Sequence, residues 1–224
     1  MSKETSKTKK IWSELEMNYL KGNGIDIGCG NDPVFSNVQP FDLKHGDANK
    51  ISDYIKDPKD FVFSSHCLEH MYDPRSAINE WYKILKPGGY LFILVPDEDL
   101  YEQGCFPSQY NPDHKWTFTI SKEKSWSPKS INVLDLIKDL RGELISVKLQ
   151  DQNFDYQIYS HKSTRWSRKG WRWFKRLSEK HVGTATEIRL SRLFHALGAS
   201  FDQTAMGGDR LSQIQFIVRK PVSQ

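Results

Sequence analysis

Short apolar runs bounded by glycine, proline and acidic residues alternate along this chain with stretches whose apolar positions recur every three or four residues. That alternation predicts strands interleaved with helices. Gly24-Ile25-Asp26-Ile27 reads as a buried strand running straight into the turn Gly28-Cys29-Gly30, and Asn37 to Leu43 as a second strand ending in Asp42. The helix usually expected between two such strands is abbreviated. Phe61 to Ser65 and Tyr90 to Val95 are apolar enough to be interior strands covered on both faces. Between them Asp73 can cap a helix and Pro74 suits its first turn, while Ala77, Ile78, Trp81, Tyr82 and Leu85 share a face and Gly88-Gly89 would end it. Upstream, Ile11, Trp12, Leu15 and Tyr19 predict a short helix over 11–20 that lies across the sheet edge and could help close a ligand pocket. Downstream, Ser127-Pro128 opens a predicted helix carrying Ile131, Leu134, Ile137 and Leu140, which Gly142 stops. A strand follows at Leu144 to Leu149, then a helix around Glu187 to Leu197 ending at Gly198, and a last strand at Gln213 to Arg219.

This order implies an α/β, Rossmann-like, doubly wound and mainly parallel sheet with helices on both faces, whose ligands bind beyond the carboxyl ends of the strands. With 224 residues, 38% hydrophobic and 12% aromatic, the chain has apolar material for one sizeable core, so a single domain over 1–224 is expected, with an insertion at about 155–185. Met1 to Lys10 lacks the apolar stretch of a secretory signal, and no apolar run reaches the roughly 20 residues that span a bilayer, so a cytoplasmic location is expected. Cys29, Cys67 and Cys105 show no Cys-x-x-Cys spacing, which argues against a disulfide framework or a zinc site. They read as packing residues rather than nucleophiles.

The glycines of the first turn remove Cβ atoms where the chain bends, letting a ligand lie against the backbone. A dinucleotide site would need Gly-x-Gly-x-x-Gly here, but position 33 is proline. The pattern Asp26-Ile27-Gly28-Cys29-Gly30 instead resembles the first motif of the class I S-adenosylmethionine-dependent methyltransferases. Phe61 to Pro74, with Ser65-His66-Cys67-Leu68-Glu69-His70, and then Leu85-Lys86-Pro87-Gly88-Gly89, are similar to further segments of that family in the same order. The resemblance covers Gly24 to Pro96 closely. It implies a seven-stranded sheet with the last strand antiparallel, and S-adenosylmethionine as cofactor. It further implies a cofactor site of Asp26, Gly28, Cys29 and Gly30 at the turn, Asp42 for the ribose hydroxyls, Asp47 for the adenine amino group, and Ser65 and His66 at the end of the fourth strand. Glu69 and His70 also suit a plainer role, fastening the start of the following helix.

The long, polar segment Asp97 to Thr119 is placed where an acceptor-binding loop belongs. His114 is the candidate general base, with Asp113 or another carboxylate to orient it. Asp97, Glu98 and Asp99 could hold a hard cation, but adjacent carboxylates are usually solvated and no metal site is assigned. The net charge of +4 is modest, yet Lys and Arg gather between His161 and His181 among Trp166, Trp171, Trp173 and Phe174. That segment reads as an amphipathic helix packing on the domain. It could also meet an anionic substrate, a membrane surface, RNA or a second subunit of a homodimer. Nucleic acid is disfavoured, because Ser-Ser-His-Cys stands where nucleobase amino methyltransferases carry Asn- or Asp-Pro-Pro-aromatic. The expected function is methyl transfer to an oxygen, or secondarily a nitrogen, of a small polar metabolite, with a sugar or nucleotide-sugar precursor of a surface polysaccharide as first choice. The rivals are an RNA or protein methyltransferase docking through the basic segment, and a cofactor-binding module without catalysis.

Overall fold

The computed structural model describes residues 3–120, 122–160 and 184–222. Its strands are β1 (Gly24–Ile27), β2 (Gln39–Phe41), β3 (Lys59–Ser65), β4 (Leu85–Pro96), β5 (Thr117–Thr119), β6 (Ser130–Asn132), β7 (Glu143–Gln150) and β8 (Gln213–Arg219). Its helices are α1 (Glu4–Lys9), α2 (Glu14–Asn18), α3 (Ile51–Tyr54), α4 (Pro74–Lys83), α5 (Val133–Asp139) and α6 (Thr184–Ala196). Six strands form one sheet in the order β2-β1-β3-β4-β8-β7, while β5 and β6 pair separately. The first four are parallel, and β8 runs antiparallel between β4 and β7. The Rossmann-like architecture and the antiparallel last strand are as the resemblance implies. The strand count is not: the described residues put six strands in the main sheet instead of seven, and between β2 and β3 the chain forms a 3₁₀ turn (Ala48–Lys50) and α3.

Strand order reverses between β1 and β3, so their carboxyl ends flank a crevice of the kind that binds ligands in such sheets. Period-two alternation fills both faces. Val62, Leu91, Ile93, Phe216 and Val218 face one layer with Ile78, Trp81 and Ile137, whereas Phe61, Phe63, Phe92, Leu94 and Ile217 face the other with Trp12 and Leu20. On that second face Trp12 sits with ring centroids 5.8 Å from Phe63 and 5.0 Å from Phe92.

Three element boundaries differ from the sequence reading. The helix expected over 11–20 is split, because Ser13 and Glu16 form a reciprocal capping box that starts α2, leaving Ile11 and Leu15 exposed. Helix α4 is capped by Asp73 as expected but ends at Lys83, since Leu85 already pairs with Lys59, and Gly88-Gly89 lie inside β4. Ile131 is drawn into β6 by pairing with Phe118, so α5 starts at Val133 under an Asn132 cap and turns Leu134 outward. The insertion expected at about 155–185 falls largely outside the described residues, as does all of 161–181. Among the described residues no helix is long and apolar enough to cross a membrane.

Candidate active site

Gly28 and Gly30 both adopt positive φ (76° and 53°), and a Cβ at Gly28 would come within 2.6 Å of the Cys67 side chain. The turn therefore needs glycine at Gly28 twice over, for its torsion and for its contact. Gly28 N donates to Phe41 O at 2.7 Å and Gly30 N to Asp42 Oδ2 at 2.9 Å, which ties the turn to the end of β2. Asp26 lies beneath it, its Oδ2 accepting from Val34 N at 2.7 Å while Oδ1 has no hydrogen-bond partner. Burial, ahead of repulsion from Asp32 and Asp42, pushes the Asp26 carboxyl up to about 7. Asp47 caps the turn at Ala48–Lys50 through Asn49. Asp26, Asp42 and Asp47 stand behind or beside the crevice, not on its main wall.

A cavity of about 470 Å³ is lined both by Gly28, Cys29 and Gly30 of the turn and by Tyr101, Asn111, His114, Asp202 and Thr204. Ser65 and His66 line it too, and so do Glu4 and Thr5 of α1, whereas none of residues 11–20, where a pocket-closing helix was expected, borders it. The Ser65 hydroxyl is buried there without a hydrogen-bond partner. His66 follows β3 with φ 53°, a left-handed conformation uncommon outside glycine, and its Nε2 lies 2.7 Å from Gln213 Oε1. Burial alone would lower its pKa, but Glu69 outweighs that and raises it to about 9. Burial pushes the Cys29 thiol up to about 11 and the Cys67 thiol higher still, which keeps both protonated and fits packing residues.

Glu69, His70 and His114 meet on the cavity lining. Lys115 N and Trp116 N donate to the Glu69 carbonyl at 2.9 and 3.2 Å, so the loop after β4 is stitched across the Leu68–His70 turn. The Glu69 and His70 side chains consequently line the cavity, and the start of α4 is left to Asp73. His114 is buried, with Nδ1 2.7 Å from Glu102 Oε1; Glu102, not Asp113, is the carboxylate that orients it. Glu102 is the functional neighbour that sequence reading missed, placed by the five-residue turn Glu98–Glu102. Asp97, Glu98 and Asp99 do not line the cavity. Asp97 caps that turn, Glu98 binds Ser125, Ser130 and Lys122, and Asp99 binds Trp126 and Lys122.

Residues 24–93 match a family model described as a methyltransferase domain. A Bacillus halodurans protein described as a candidate methyltransferase aligns at TM-score 0.52 and 15% identity, over 92% of this chain and 96% of that one. A S-adenosylmethionine-dependent methyltransferase from Archaeoglobus fulgidus aligns at 0.50 and 16%, over 98% and 95%. Haemonchus contortus phosphoethanolamine N-methyltransferase 2, in complex with S-adenosylmethionine, aligns at 0.50 and 15%, over 93% of this chain and 51% of that one. At these identities the solved structures show the shared fold. A comparison with curated protein sequences finds no match.

The fold and the crevice at its switch point are shared with S-adenosylmethionine-dependent methyltransferases, and residues 24–93 match a methyltransferase domain. The cofactor that this fold and this segment imply is S-adenosylmethionine. The residues present fit that cofactor. Gly28 and Gly30 line the cavity, its volume lies within the roughly 300–1,000 Å³ of small-molecule sites, and the carboxylates of Glu4, Asp32, Glu69 and Asp202 on its lining suit a sulfonium.

Proposed function

We propose that this enzyme methylates an oxygen of a small polyhydroxylated metabolite, a sugar or nucleotide-linked sugar, held between Asn111, His114, Asp202 and Thr204. The observation that carries the reading is the continuity of one cavity from the glycine turn to His114. When bound, S-adenosylmethionine supplies an electrophilic methyl group on a sulfonium. Gly28, Gly30 and Asp42 hold its adenosine part, and Ser65 and His66 border its methionine part. Asp26 shapes the turn from beneath, Cys29 packs beside it, and Asp47, beside the crevice, would accept from the adenine amino group.

Positioning is the principal task in such a displacement. A hydroxyl must also lose its proton. The Glu102 carboxylate accepts from His114 Nδ1, so the lone pair on Nε2 faces the cavity, where it can act on the acceptor hydroxyl. The hydroxyl and amide groups of Thr204 and Asn111 suit a polyhydroxylated acceptor.

The test pairs calorimetric binding of S-adenosylhomocysteine with turnover on a panel of hydroxylated and amino acceptors. Asp42→Ala should weaken cofactor binding at least about tenfold, whereas His114→Ala should leave binding within a few-fold and slow turnover about 100-fold or more. Turnover unchanged in His114→Ala would remove its role.

A further inference from the structure

Glu69 is fully buried, and neither oxygen of its carboxylate has a hydrogen-bond partner. A buried carboxylate is disfavoured without a cation beside it, and His66, which Glu69 keeps protonated, meets that need only at a distance too long for a hydrogen bond. Around Oε1 stand His66 Nδ1 at 3.6 Å, His70 Nε2 at 3.8 Å and His114 Nε2 at 3.8 Å. These separations are too long for hydrogen bonds. They are close to the spacing of atoms that share an ion, since a tetrahedral metal with bonds of about 2.0–2.1 Å keeps its donors about 3.3–3.4 Å apart. Glu69, His70 and His114 each present one donor atom, all within 4.8 Å of one another.

The outer nitrogens of the two rings are already tied to acceptors. His114 Nδ1 donates to the Glu102 carboxylate at 2.7 Å, and His70 Nδ1 donates to the Asp113 carbonyl at 3.0 Å. Both inner Nε2 atoms are thereby left with lone pairs directed at Glu69. Imidazoles that ligate metals are held in this way, by a carboxylate or carbonyl on the far nitrogen.

We propose that Glu69, His70 and His114 bind a divalent transition-metal ion of the Zn(II), Co(II), Fe(II) or Mn(II) class at the acceptor end of the cavity. Two imidazoles and one carboxylate favour such ions over Mg(II) or Ca(II), which prefer all-oxygen sets. Three protein ligands leave coordination positions open toward the cavity, where an oxygen of the acceptor can complete them. This last point rests on the methyl-transfer reading. With the ion in place the His114 Nε2 lone pair is taken up by the metal, so the ion would lower the pKa of the acceptor hydroxyl and water would take its proton, and the loss of turnover in His114→Ala would follow from loss of the ion.

Tag-free full-length protein, stripped with chelator, is titrated with ZnCl2, CoCl2 and MgCl2 by calorimetry and by visible absorption of Co(II). Binding of S-adenosylhomocysteine is measured on the same samples. The expected result is one Zn(II) or Co(II) per chain, with binding weakened at least about 100-fold in His70→Ala and in His114→Ala. Glu102→Gln, which loosens the outer tie of His114, should weaken it about 10- to 100-fold. All three variants should still bind S-adenosylhomocysteine, which shows them folded. Absence of saturable uptake by wild-type protein that binds S-adenosylhomocysteine overturns the proposal, as does equal Co(II) affinity in the variants or uptake of Mg(II) alone. Failure to bind S-adenosylhomocysteine would count against the methyl-transfer reading instead, and the metal titration would still decide the site.

Discussion

Asp26 sets a pH dependence by itself. Its carboxyl is raised from 3.8 to about 7 in the folded protein, chiefly by burial. The folded state therefore keeps a proton that the unfolded chain releases, so this contribution to stability is complete below about pH 4 and is lost as pH rises through 7. Asp26→Asn keeps an acceptor for Val34 N and removes the charge. Between pH 5 and pH 8, urea denaturation should show wild-type protein losing on the order of 2 kcal/mol more stability than the variant. Equal losses would exclude the effect. At this scale the glycine turn, Ser65, His66 and His114 were legible, because each lies at a strand end or in a polar loop that local sequence marks. The pairing of Glu69 and His70 with His114 was not, since it depends on Lys115 and Trp116 bonding across the chain to the Glu69 carbonyl.

Strands β7 and β8 carry a buried series of amides with one direction. Gln215 donates to Glu16 at 2.6 Å, Gln150 to Gln215 at 2.8 Å and Gln213 to Gln150 at 2.6 Å, leaving Gln213 Oε1 to face His66. Each amide is oriented by the next, starting from a carboxylate that can only accept. Gln213→Leu would orphan Gln150 Oε1 and His66 Nε2, and at roughly 1–3 kcal/mol for each unsatisfied group the urea midpoint should fall clearly. A midpoint equal to wild type would mean that water replaces the lost partner. Element boundaries were partly legible for a related reason. The capping box that splits the N-terminal helix was written in Ser13 and Glu16, whereas the conversion of Ile131 from helix to strand needed Phe118 as a partner.

For the whole molecule, the alternation of apolar runs gave the class of fold, and the ordered motifs gave the antiparallel last strand through resemblance. The six-strand count was not readable, although Ile51 and Ile55 between β2 and β3 now pack in the core beside α4. The interior position of β8 has a consequence for synthesis. As the ribosome extends the chain, β4 and β7 emerge first, with a gap one strand wide between them. Their facing backbone groups stay unmatched until the residues from Gln213 onward leave the exit tunnel. The wedge that closes the sheet is the last of its six strands to be translated, so an abortive product stopping short of it presents two open edges to neighbouring nascent chains and chaperones.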